Sequence, residues 1–122
     1  MKLTQSMFMG SALAIAALGS NGALAQEMPE IATKSGCTAC HAVDKKVVGP
    51  AWAWVAHRYQ DQDQAEAKKT LLAQMEKGGK GKWTEYTGGV PMPPYGPRTT
   101  AEQRDQLAEF ILGLDPVKPP ND

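Results

Sequence analysis

The sequence predicts an all-α fold of about four helices. Three observations predict it: apolar residues recur at helical spacing in separate segments, no stretch alternates as a strand would, and one long Gly/Pro-rich segment has no period at all. Pro29 opens a first helix that runs through Cys40, because proline's missing N–H costs nothing at the first helical position. Gly49-Pro50 opens a second in the same manner, and there Trp52, Val55, Ala56 and Tyr59 make one apolar face, with His57 pointing away to solvent. Asp63 to Glu66 reads as a capping-box-like start for a third helix, with Leu71, Leu72 and Met75 as its buried stripe. The final helix begins at Thr100, Gln103 completes a capping box, and Leu107, Phe110, Ile111 and Leu114 form its face. Pro116 ends it.

The chain has 122 residues with 13 Lys+Arg against 13 Asp+Glu, which fits one small domain and speaks against a basic nucleic-acid binder. Residues 1–25 read as a secretory signal. Lys2 is the only charge, Met7 to Leu18 is mostly apolar, and Ala23-Leu24-Ala25 is a small-x-small cleavage site. A retained membrane anchor is the competing reading, but the apolar run is shorter than the roughly 20 residues a span needs. Cleavage after Ala25 leaves residues 26–122 as a single domain with 12 basic and 13 acidic side chains. No second long apolar run follows, so a soluble, periplasmic monomer is expected.

An exported domain this small usually needs a staple, and a disulfide between Cys37 and Cys40 closes too short a loop to serve. Their setting, Cys37-Thr38-Ala39-Cys40-His41, is instead the attachment signature of c-type haem. Two thiols separated by two residues on a helical turn reach the two vinyl groups on one porphyrin edge and form thioethers. The histidine that follows is then held under the iron as proximal ligand. Two other readings compete. A thioredoxin-like redox pair needs a βαβ frame that this sequence does not show. A zinc site would draw on Cys37, Cys40, His41 and His57, but adjacent Cys40 and His41 suit zinc spacings poorly.

A long segment without regular structure is usually functional. Between Gly78 and Thr99, glycines at 78, 79, 81, 88 and 89 free the backbone, and Pro91, Pro93, Pro94 and Pro97 stiffen the stretch that holds Met92. Val90-Pro91-Met92-Pro93-Pro94 is thus a rigid mount for a thioether, a neutral soft donor, and Met92 is the expected sixth ligand. Met75 reads as core filler and Met28 lies too close to the haem motif to cross to the distal side. A bis-histidine haem through His57, or an open iron site, are the alternatives.

These motifs together resemble the small single-haem class I cytochromes c of bacteria. The likeness covers Pro29 to Leu114 and rests on the haem motif, on Val48-Gly49-Pro50-Ala51, and on Trp83 a few residues before the Met92 segment. It implies a compact cytochrome c fold wrapped around one covalent haem. It also implies that the Pro50 carbonyl accepts the second ring N–H of His41, and that the Trp83 indole donates to a haem propionate; simple packing is the other reading of Trp83. The chain departs from the family at Ala32, which leaves Phe110 to meet Ile31 or Gly36. It departs again at Gln74, where relatives often carry an arginine near a propionate. Tyr95 stands where close relatives often have asparagine, and either side chain suits donation to the methionine sulfur; cover for the haem edge, with the hydroxyl in water, is the other reading of Tyr95.

The function that follows is one-electron transfer between redox proteins, because a haem with both axial sites filled by protein changes redox state without readily binding substrate. No catalytic residue is expected. Contact with membrane complexes would be transient. Two alternatives remain at this stage: the haem subunit of a periplasmic dehydrogenase, and an enzyme or gas sensor with a displaceable Met92.

Overall fold

The computed structural model describes residues 26–122, so the proposed leader lies outside the described residues. Five α-helices follow one another: α1 (Glu30–Lys34), α2 (Trp52–Tyr59), α3 (Gln64–Lys77), α4 (Thr84–Thr87) and α5 (Ala101–Leu112), with 3-10 turns at Cys37–Ala39 and Gly96–Arg98. Among the described residues there is no strand, only two isolated bridges, His41 to Lys46 and Gly79 to Met92.

The first helix is shorter than expected. It stops at Lys34 because Gly36 takes a left-handed backbone with φ 81°, and the chain resumes as the 3-10 turn that carries Cys37. The second begins at Trp52 rather than at Gly49-Pro50, with Ala51 as its cap. Its burial also exceeds one face, since Ala53 and Trp54 are buried along with Trp52, Val55, Ala56 and Tyr59. The C-terminal tail explains this. The Val117 N–H donates to the Ala53 carbonyl at 3.0 Å, while Tyr86 sets its ring 5.3 Å from Trp54, so α2 is covered from outside as well as inside.

Helix α3 starts with half of a capping box: the Asp63 carboxylate accepts the Glu66 N–H at 3.0 Å, but the Glu66 carboxylate turns to Lys69 at 2.8 Å. Ala67, Leu71 and Met75 form its buried stripe, with Leu72 only half-buried. Helix α5 has the full capping box, Thr100 with Gln103, and ends at Leu112 ahead of Pro116, leaving Leu114 buried just beyond it. It is the central prop, since α1, α2 and α3 all pack on it. Phe110 meets the edge of Trp52, with ring centroids 5.9 Å apart. No helix of the described residues is long and apolar enough to cross a membrane.

Candidate haem-binding site

The 3-10 turn at Cys37–Ala39 winds the motif tightly, with the Cys40 and His41 N–H groups both donating to the Cys37 carbonyl at 3.1 and 2.9 Å. The chain then folds back on itself. The Val48 and Gly49 N–H groups donate to the Cys40 carbonyl, and those of Trp52 and Ala53 donate to Ala42 and Val43. This hairpin-like return brings Pro50 under the histidine, and His41 Nδ1 lies 2.9 Å from the Pro50 carbonyl oxygen. A carbonyl can only accept, so Nδ1 carries the proton and Nε2 keeps its lone pair for a metal. Burial pushes His41 below the ordinary histidine range, with the Pro50 bond opposing, so the neutral ligating form is favoured. Burial pushes the Cys37 thiol upward.

Gly49 completes this wall. A Cβ built there would stand 2.9 Å from His41 Nδ1 and 3.0 Å from Nε2, and closer still to Cε1, so the imidazole lies flat against bare backbone. The sequence offers Gly49 as a helix opener and as part of the Val48-Gly49-Pro50-Ala51 motif, and its role beside the imidazole shows only once His41 is folded over it.

Met92, on the lining of the same cavity as His41, is held by backbone. Its N–H donates to the Gly79 carbonyl at 2.9 Å and its carbonyl accepts the Gly79 N–H at 2.8 Å. Gln74 Nε2 adds a bond to the Gly79 carbonyl at 3.0 Å. Gly78, at φ 67°, lets the strand pass so close that a Cβ would collide with the Met92 carbonyl and come within 2.8 Å of Pro93. The prolines therefore share the mounting of Met92 with a two-bond clamp from the end of α3.

The cavity has a volume of about 420 Å³ and is lined by Cys37, Cys40, His41, Met75, Trp83 and Met92 among others. Pro50 lines it too, as do Val48, Val90 and Tyr95. Among the described residues, Lys80 and Lys82 are the only charged side chains on its lining, and no carboxylate is on it. His57 is half-buried and stands outside it. Met75 is core and cavity wall at once. Tyr95 is buried in the wall, but among the described residues no hydrogen bond joins its hydroxyl to the Met92 sulfur. Its backbone N–H donates to Met75 and its carbonyl accepts from Thr99. Trp83 is held from behind by Arg58, whose guanidinium carbon sits 3.6 Å from the indole centroid.

A largely apolar cavity lined by a metal-ready imidazole, a thioether and two thiols fits a haem. The chain matches the family model described as Cytochrome c over residues 25–115. The chain belongs to the cytochrome c family. Among its relatives are a cytochrome c2 of Rhodocyclus tenuis, 42% identical over 88 residues that span 71% of this chain and 91% of the relative. Cytochrome c-551 of Pseudomonas aeruginosa is 39% identical over 103 residues, spanning 84% of this chain and 90% of the relative. Among solved structures, wild-type Nitrosomonas europaea cytochrome c552 superposes with TM-score 0.58 at 38% identity, covering 67% of this chain and 93% of that one. This cytochrome c accordingly binds haem c covalently through its two cysteines, Cys37 and Cys40, and is of the small bacterial class I type. Its relatives are electron-carrying c-type cytochromes.

Proposed function

We infer that the protein is a periplasmic one-electron carrier in which His41 and Met92 would hold the haem iron. The observation that carries this is that one cavity is lined by both groups, each fixed by backbone: His41 presents Nε2 because Nδ1 is bonded to Pro50, and Met92 is clamped to Gly79. When bound, the haem supplies one iron that takes up or gives away a single electron. The chain's part is to hold both ligands where they stand in either oxidation state, so that little rearranges when the electron moves. Cys37 and Cys40 anchor the porphyrin edge. The Trp83 indole N–H, on the cavity lining, is the donor for a propionate. With His41 and Met92 both holding the iron, little room would be left for a substrate, which supports a carrier rather than an enzyme. Residues 1–25 supply the export signal and the carrier works as a monomer between redox proteins.

The test is spectroscopic. The oxidised protein should show the weak sulfur-to-iron band near the red end of the visible spectrum, and Met92→Ala should abolish it. Persistence of the band in the variant would overturn the assignment.

A further inference from the structure

Haem c carries two carboxylates on the edge opposite its thioethers, and burying charge without a partner is costly. The cavity lining offers cationic partners for them. Lys80, Lys82 and Trp83 stand close together in sequence on that lining, and among the described residues no acidic side chain lines the cavity. Gln74, on the same lining, is neutral and gives an amide N–H to the Gly79 carbonyl. One further cation reaches this group from another element. Arg58, in the last turn of α2, lays its guanidinium over the Trp83 ring at 3.6 Å and donates through Nη1 to the Lys82 carbonyl. Trp83 also meets Tyr86, with centroids 5.9 Å apart and planes tilted by 51°. The indole thus contacts both a planar cation and an aromatic ring. No acceptor among the described residues takes its N–H, and no buried side-chain polar atom there lacks a partner, so that N–H opens to accessible space.

We propose that Arg58 is the positioning residue for the carboxylate end of the haem: it locks the Trp83 indole and the Lys82 backbone in place from α2 and adds a positive charge behind them. Guanidinium suits this better than ammonium, because its flat face stacks while its edge still donates. The ferric haem carries one more positive charge than the ferrous, so a nearby fixed cation favours the ferrous form. This rests on the haem reading above, and the sulfur-to-iron band reports that reading separately.

The experiment compares the holoprotein with Arg58→Gln and Arg58→Lys by hydrogen exchange at the indole N–H groups and by equilibrium redox titration. Exchange at Trp83 should quicken about two- to thirtyfold in both variants, the range a cation–π contact spans, while Trp52 and Trp54 hold their rates. The reduction potential should fall in Arg58→Gln. The sulfur-to-iron band should persist throughout, and its absence from the parent protein would count against Met92 ligation instead. Unchanged Trp83 exchange in both variants, an equal rise at all three indoles, or an unmoved potential in Arg58→Gln would overturn the proposal. Should Arg58→Gln fail to fold, the exchange in Arg58→Lys decides alone.

Discussion

At Gly49 the missing side chain matters more than any neighbour that is present. The His41 ring occupies the space where a Cβ would project, within 2.9 Å at Nδ1, so even a methyl must displace the imidazole from its bond to Pro50. Gly49→Ala should therefore destabilise the holoprotein by about 1–3 kcal/mol, the usual range for overpacking, and shift the haem absorption as the ligand tilts. Guanidinium unfolding of the two proteins measures the first and visible spectra the second; equal midpoints would mean that the ring swings clear at no cost. The residues proposed to hold the haem are legible because their chemistry demands a type: two thiols, an imidazole, a thioether. Gly49, Gly78 and Arg58 are not, because their roles depend on what approaches them in three dimensions. A glycine before a proline looks the same whether it opens a helix or makes room for a ring. Tyr95 is open in the sequence between a bond to sulfur and cover for the haem edge; the structure buries it in the cavity wall, and among the described residues no hydrogen bond joins its hydroxyl to the Met92 sulfur.

Helix starts proved more readable than helix ends. The capping box at Thr100 and Gln103 is present in full, since one local exchange of hydrogen bonds defines it. The break after Lys34 depends on one left-handed glycine, which a run of helix-compatible residues conceals. The four-residue helix α4 is hidden in the Gly/Pro-rich segment because so short a helix has no period to detect; packing of Trp83, Tyr86 and Trp54 sustains it. Pairing between elements lay beyond the sequence altogether. Lys68 of α3 reaches two acids of α5, Asp105 at 2.7 Å and Glu109 at 2.9 Å. The hydrogen bond to Asp105, then that to Glu109, raise the Lys68 pKa above the ordinary lysine value. A raised folded value means that the stabilisation is complete below the unfolded lysine pKa of about 10.4 and disappears as pH climbs through the folded one. Lys68→Met should thus lower the denaturation midpoint slightly at neutral pH and low salt, with the difference closing in about 1 M salt or at strongly alkaline pH. A difference that survives both conditions would assign the effect to packing of the lysine stem.

Over the whole molecule, the near-zero net charge conceals an uneven distribution. Lys80 and Lys82 stand on the cavity lining, Lys46 bridges to His41 beside Lys45, and exposed Lys77 ends α3 next to the Gly78 that contacts Met92. None of these five takes part in a salt bridge among the described residues, whereas Lys34, Lys68 and Lys69 all do. Val48 and Val90 line the same cavity and remain 41% and 50% exposed, with Val47 equally open beside them. The acids Asp61, Asp63 and Glu66 sit together around the start of α3, outside the cavity lining. A carrier must bring its haem edge close to a partner and then let go. Apolar rim residues supply contact without directional bonds, and unpaired lysines around them attract an acidic surface over distance. Bimolecular electron transfer with an acidic redox partner should therefore slow as ionic strength rises, because the Debye length contracts from about 30 Å at 0.01 M to about 8 Å at 0.15 M. Reversing charge at Lys45→Glu and Lys46→Glu should slow it further and flatten the salt dependence. Stopped-flow rates across a salt series decide the matter: a rate indifferent to salt, or one that rises with it, would mean that the lysines are ordinary solvated surface and that docking rests on the valine rim alone.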